Sequence, residues 1–166
     1  MSFSPIPKLV VPDIFAVTPD LLRRKGITFL CLDLDNTLSP YSEDMPPKRV
    51  LDWMAELKAA GIDLYMISNS AKSRRADDYA KACGIPFVKC AGKPRPKALR
   101  DAMQQMDKTP AETALMGDQI FTDGLCANRA GALSIVVKPI EMKNIFFRIR
   151  YGVEQLFRVL SKERIK

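Results

Sequence analysis

Short apolar runs of strand length alternate with segments of helical periodicity along this chain, and that alternation limits the possible folds more than any other feature. The runs fall at 27–33, 63–68, 86–89, 114–116 and 133–137. Between them, Val50, Leu51, Met54 and Leu57 recur at helical spacing in a segment that starts near Pro47 and is closed by Gly61. A polar helix is predicted from Ser70 or Ala71 to Gly84, another over 96–106, and a third over 122–130 with Gly131 as its cap. Thr109-Pro110-Ala111-Glu112 has the spacing of a capping box with proline at the first helical position. Strands that alternate with helices pair in parallel and are covered on both faces. The expected fold is therefore a single Rossmann-like α/β domain with about five mostly parallel strands between helices. Its core spans about 12–140. Pro5, Pro7 and Pro12 mark an extended arm across the domain, followed by a helical turn at 19–25.

The 166 residues are enough for one ordinary core. Apolar residues at 47% and charged residues at 27% are typical of a soluble globular protein. No apolar stretch approaches the roughly 20 residues that span a bilayer, and the N-terminus lacks a charged-then-apolar signal pattern. The expected location is the cytoplasm, with peripheral attachment to the inner membrane surface left open. Cys31, Cys83, Cys90 and Cys126 form no C-x-x-C pair, so free thiols are expected rather than a disulfide or a zinc site. The absence of histidine excludes Ser-His-Asp and Cys-His hydrolysis, H-E-x-x-H metalloproteases and H-x-E deaminases. A net charge of +7 favours anionic partners without choosing among phosphate esters, acidic lipid and nucleic acid.

Ligands of such sheets bind beyond the carboxyl ends of the strands. Four polar clusters fall there: Asp33 with Asp35, Ser68 with Asn69, Lys93, and Asp118 with Asp123. Two adjacent carboxylates repel unless a cation or shared proton relieves them. Mg²⁺ suits such a site, because it takes hard oxygen ligands and keeps positions for water or substrate phosphate. Taken singly, each cluster also has an ordinary reading as a turn or a helix start. Together they supply the parts for phosphomonoester hydrolysis. Asp33 is the expected nucleophile, forming an aspartyl-phosphate, and Asp35 the acid for the leaving oxygen and then the base for water. Mg²⁺ is expected on Asp33, the backbone carbonyl of Asp35, and Asp118. Ser68 and the amides near Asn69 are expected to bind phosphate oxygens alongside Lys93, with Lys97 as a competing candidate for that lysine's role.

The motifs DLDNT (33–37), ISN (67–69), KP (93–94) and GDQIFTD (117–123) resemble the haloacid dehalogenase superfamily of aspartate-nucleophile phosphatases. With PDIF (12–15) and NRAG (128–131), the chain is similar to its IIIA-type YqeG-like group, which includes relatives of mitochondrial phosphatidylglycerophosphate phosphatase. The resemblance runs from about Pro12 to Pro139. It implies the roles just assigned and a further one for Asp123, which would orient Lys93 or the metal waters.

The short spacings from Asp35 to Ser68 and from Ser68 to Lys93 leave no room for a cap domain, so an open site is expected. Such a site suits a phosphate presented on a macromolecule or a membrane surface. Residues 141–166 carry seven Lys/Arg and three Glu. Phe146, Ile149, Val153, Leu156, Phe157 and Leu160 form an apolar stripe there, flanked by Arg148, Arg150, Arg158 and Lys162. This basic amphipathic helix is either a membrane-surface anchor or a helix packed on the sheet or a partner subunit. Gly152 weakens it by roughly 1 kcal/mol relative to Ala and tilts the choice toward packing. The leading expectation is a Mg²⁺-dependent phosphatase acting on phosphatidylglycerophosphate or another surface-presented phosphate. The alternative substrate is soluble: a nucleotide, sugar phosphate or phosphoprotein. A nucleic-acid-binding module is disfavoured, since no aromatic-interleaved RNA motif is present; an oligomer is left open.

Overall fold

Strand residues here are apolar on both faces, and the two sets separate by the two-residue period of a pleated strand. In a computed structural model describing residues 4–70, 74–142, 145–161 and 163–165, these strands form one sheet. The strands are β1 (Leu9–Val10), β2 (Phe29–Leu32), β3 (Asp63–Ile67), β4 (Phe87–Val88), β5 (Thr113–Gly117) and β6 (Leu133–Val136). Their order is β1-β6-β5-β2-β3-β4, and every pairing is parallel. The helices are α1 (Pro19–Arg24), α2 (Lys48–Ala59), α3 (Arg74–Cys83), α4 (Lys97–Gln105), α5 (Leu125–Ala130) and α6 (Ile145–Val159). Leu30, Leu32, Leu64, Met66, Ala114 and Met116 face α1, α2 and α3; Phe29, Cys31, Tyr65, Ile67 and Leu115 face α4 and α5.

The expected arm becomes structural. Its Leu9 and Val10 register against Ile135 and Val136 as a sixth strand, one more than the apolar runs announce. A two-residue strand is too short to show a periodic signal. The last described residues then cover its outer side, with Val10 N donating to Glu163 O at 3.0 Å and Ile165 N to Val10 O at 2.9 Å. PDIF is an N-cap: Asp13 Oδ1 accepts from Phe15 N (2.9 Å) and Ala16 N (3.1 Å). The capping box at Thr109 and Glu112 forms, on a single 3₁₀ turn. The predicted helix over 122–130 instead begins as a π-helical turn, Ile120–Gly124, before α5. The predicted start of the polar helix at Ser70 or Ala71 adjoins residues 71–73, outside the described residues; the described helix begins at Arg74. Cys31, Cys83 and Cys126 are buried free thiols and Cys90 is an exposed one.

The arm is fastened by a buried polar chain. Asn128 Nδ2 donates to Ser4 O (2.7 Å) and Ile6 O (3.0 Å), while its Oδ1 accepts from Ser134 Oγ at 2.8 Å. Ser134 Oγ accepts in turn from Lys8 N at 2.9 Å. Removing one member leaves buried partners unpaired, which costs about 1–3 kcal/mol. Asn128→Ala is therefore expected to lower unfolding stability by about that amount in urea titration, with faster amide exchange at Lys8. Unchanged stability would mean that the arm is not held by this chain of bonds.

Candidate active site

The strand order turns back on itself between β2 and β5, and the crevice beyond their carboxyl ends is where such sheets bind ligands. Asp33 leaves β2 there and Asp118 leaves β5, with Asp33 N donating to Met116 O at 2.9 Å. Lys93 arrives from the loop after β4. Asn69, just past β3, holds it: Asn69 Oδ1 accepts from Lys93 N at 2.9 Å and Asn69 Nδ2 donates to Lys93 O at 3.1 Å. The Lys93 side chain is 1% exposed. Its ammonium donates to Asp33 Oδ1 (2.6 Å) and Ile67 O (2.8 Å) and is ion-paired with Asp123 Oδ1 at 2.7 Å. Burial by itself would lower the Lys93 pKa, but Asp123 and Asp33 outweigh it and hold the ammonium well above the ordinary lysine value.

Asp123 reaches this lysine because Gly117 lets it. A Cβ on Gly117 would lie 2.2 Å from Asp123 Cγ, so the carboxylate occupies the space that any other residue would fill. Asp123 Oδ2 also accepts from Gln119 N and Thr122 Oγ1, each at 3.2 Å. Thr37 Oγ1 donates to Asp33 Oδ2 at 3.1 Å.

Asp118 has less support. Its Oδ2 accepts only a long bond, 3.3 Å, from Asn36 Nδ2, and its Oδ1 is buried with no hydrogen-bond partner among the described residues. Burial, reinforced by Asp33 and Asp123, pushes the Asp118 carboxyl up to about 8. Burial also raises Asp33, partly opposed by Lys93. Carboxylate oxygens of Asp33, Asp118 and Asp123 lie within 4.8 Å of one another. With Asp35, four carboxylates face three cations: Lys93 and Arg75, which pair with them directly, and Arg150, whose charge acts on Asp118. That excess of negative charge, together with an orphaned buried oxygen, fits a divalent cation.

The candidates do not all share one surface. Asp33, Asp35, Asn69, Lys93 and Asp123 line a cleft of about 140 Å³ with Tyr41. Ser68 and Asp118 are buried and do not line it, and Ser68 Oγ accepts from Ser70 N at 3.1 Å. Lys97 is exposed and paired with Asp101 at 2.6 Å, which removes it as a rival to Lys93. A larger hollow of about 730 Å³ lies by the arm and α5, and it contains none of these acids.

Three further residues belong to the site. Arg75 is ion-paired with Asp35 and donates to Glu43 O (2.8 Å) and Pro40 O (2.7 Å), so it closes the loop after β2 over the acid. Tyr41, its pKa raised to about 12 by burial and then by Asp35, Asp118 and Asp33, stays a phenol that can donate. Asn36 sits at φ 63°, a left-handed conformation that asparagine tolerates better than most residues. Its side chain ties Asp118 to Glu141, donating to Glu141 O at 2.9 Å and accepting from Glu141 N at 2.7 Å. Asn36 lies inside DLDNT; Arg75 and Tyr41 lie in polar or loop sequence that carries no signal.

This fold, with acids gathered around one lysine, fits the haloacid dehalogenase type of phosphatase that the motifs resemble. The chain belongs to the family described as mitochondrial PGP phosphatase, whose pattern it matches over residues 3–140. It is 34% identical over 157 residues to "Probable phosphatase YqeG" of Bacillus subtilis, covering 94% of this chain and 90% of that one. It is 30% identical over 145 residues to the mitochondrial phosphatidylglycerophosphatase GEP4 of Saccharomyces cerevisiae, covering 80% and 77%. A solved structure from Moraxella catarrhalis, 3-deoxy-D-manno-octulosonate 8-phosphate phosphatase with magnesium and phosphate ions and KDO, superposes with a TM-score of 0.60. The two are 20% identical, over 89% of this chain and 81% of that one, a likeness of fold.

Gly117→Ala tests the closest approach in this arrangement. The new methyl must displace Asp123 from Lys93. Expected outcomes are a stability loss of about 1–3 kcal/mol and at least about a tenfold fall in phosphatase kcat/KM. Full activity in Gly117→Ala would sink the assignment of Asp123 to this site.

Proposed function

We propose that the chain is a Mg²⁺-dependent phosphomonoesterase that works through an aspartyl-phosphate on Asp33, and that its substrate is phosphatidylglycerophosphate. The carrying observation is Asp33, held at 2.6 Å by Lys93 and set beside the unpartnered Asp118 Oδ1.

Mg²⁺ would be held by Asp33, Asp118 and the Asp35 carbonyl, where it would neutralise charge between nucleophile and phosphate dianion. A carboxylate oxygen of Asp33 attacks phosphorus, and the ester bond to the alcohol breaks as that bond forms. Asp35 gives the departing oxygen its proton, for which it must turn away from Arg75. Asp35, having given up its proton, then takes one from water. The water oxygen attacks phosphorus, releasing inorganic phosphate and free Asp33. Throughout, Lys93 offsets the charge gathering on the phosphoryl oxygens, and Asp123 holds Lys93 in place. Asn69 acts through its grip on the Lys93 backbone, and the Tyr41 phenol is a candidate donor to the phosphate.

The lipid substrate draws on the family and on the open construction of the site. Between β2 and β3 the chain has a loop and α2, and between β3 and β4 it has α3, so among the described residues no inserted domain covers the cleft.

Phosphate release from phosphatidylglycerophosphate in anionic vesicles and from a soluble phosphomonoester, in wild type and Asp33→Asn, tests both parts. Vesicle activity is expected and should fall at least about 1,000-fold in the variant, since a nucleophile is being removed. Turnover of only the soluble ester discards the lipid; turnover that survives in Asp33→Asn discards the mechanism.

The cation has its own readout. Asp118 and Asp33 bind protons more readily in the fold than an ordinary carboxylate, which titrates near 4, so metal-free stability falls as pH rises from about 4 through about 8. Mg²⁺ binds the ionised acids and reverses that loss. The Mg²⁺-induced rise in Tm should be larger at pH 8 than at pH 6, by at least about 2 °C, and should vanish in Asp118→Asn. An equal shift at both pH values would argue against a carboxylate site.

A further inference from the structure

A helix on a protein surface ordinarily turns its apolar side inward, and α6 does the opposite. Glu154 and Arg158 are its buried residues, 1% and 3% exposed. Its apolar stripe points to solvent: Phe146 is 77% exposed, Ile149 59%, Val153 47% and Leu156 68%, followed by Leu160 at 59%. Among the described residues, all but two of the nine exposed large apolar side chains lie between 145 and 160. Packing of the stripe on the chain's own sheet, one of the sequence expectations, is therefore not what the helix does. Of the predicted stripe only Phe157 turns inward, against Phe121 at 5.5 Å between ring centres.

The orientation is held by hydrogen bonds. Glu154 Oε1 accepts from Ile120 N at 3.1 Å and Phe121 N at 3.4 Å, and Arg158 Nη2 donates to Asp118 O (2.8 Å) and Val137 O (2.9 Å). Rolling the helix over to bury its stripe would pull both charged groups off these partners and leave buried backbone groups unpaired. The inner face also reaches the mouth of the active site. Phe147 meets Tyr41, a cleft residue, edge-on with ring centres 6.3 Å apart. The helix thus runs along the rim of the cleft, with its apolar side away from the protein.

We propose that the outer face of α6 is a docking surface for an anionic lipid bilayer, which seats the cleft beside the lipid headgroups. The proposal rests on the reading of the substrate as a lipid phosphate and adds the element that brings enzyme and bilayer together. Charge selects this occupant. Arg148 is exposed on the helix, Lys138 and Arg164 are exposed near its two ends in sequence, and residues 141–166 carry an excess of four positive charges. Apolar side chains flanked by exposed basic ones match an acidic lipid surface. A second copy of the chain would bring like charges together around the same stripe.

Sedimentation of the full-length protein with vesicles tests this without turnover. The vesicles are phosphatidylcholine alone or phosphatidylcholine with phosphatidylglycerol, neither carrying a phosphomonoester. Binding to the anionic vesicles is expected to be at least about tenfold tighter than to the neutral ones, to weaken with salt, and to fall at least about tenfold in Ile149→Ser/Leu156→Ser and in Arg148→Glu. Wild-type protein that binds neither vesicle overturns the proposal with no variant involved. Binding unchanged in the variants, with unchanged circular dichroism, places the membrane contact elsewhere and overturns it too. A wild-type dimer in light scattering that the double variant converts to monomer assigns the stripe to a second copy. Hydrolysis of phosphatidylglycerophosphate in detergent micelles by the wild type tests the substrate reading separately, so a failure of docking and a failure of substrate are told apart.

Discussion

One buried ammonium organises the centre of this protein. Lys93 brings a full charge into a place with almost no water, which is costly unless each proton finds an acceptor. Its partners come from three separate parts of the chain: the end of β2, the end of β3 and the π-helical turn after β5. Three strand ends are thereby held to a common point, and the glycine that admits Asp123 and the asparagine that grips the Lys93 backbone are consequences of the same requirement. The arrangement satisfies the cation more fully than the acids. Asp118 is left with a buried oxygen that has no hydrogen-bond partner among the described residues and with a raised pKa, an imbalance that a bound cation would relieve.

The second organising feature is the helix at the end of the described chain. Its inner face is fastened through Glu154 and Arg158 to backbone groups beyond the ends of β5 and β6, and Arg158 bonds the carbonyl of Asp118 itself. Asn36 adds a link from the other side, joining the loop after β2, the Asp118 carboxylate and the backbone at Glu141 where the C-terminal segment begins. The segment beyond the sheet is therefore part of the support of the active site. The apolar stripe can face outward because the opposite face is held by polar bonds from Glu154 and Arg158, together with the ring contacts of Phe147 and Phe157.

Sequence signals were strongest where chemistry restricts residue type. Asp33, Asp35, Lys93, Asp118 and Asp123 were legible because acids and a lysine at successive strand ends have few structural reasons to be there, and the parallel fold brings strand ends together. Ser68 was legible as part of the same pattern, and it is buried with its Oγ accepting from Ser70 N. Arg75 and Tyr41 gave no warning. A basic residue in a polar helix and a tyrosine in a proline-rich loop become part of the site only when the loop after β2 folds back over Asp35. The N-terminal strand was hidden for a related reason, since two residues against β6 carry no periodicity of their own.

The amino-acid sequence by itself determined the alternation of strand and helix, the parallel sheet and the acids at its carboxyl edge, because periodicity and residue chemistry are local properties. It also determined that the C-terminal segment would be an amphipathic helix. Which side of that helix faces the protein was decided only in the tertiary structure. The hydrophobic pattern favours burying the stripe, but backbone N–H and C=O groups around Asp118 needed partners, and only Glu154 and Arg158 on the opposite face supply them.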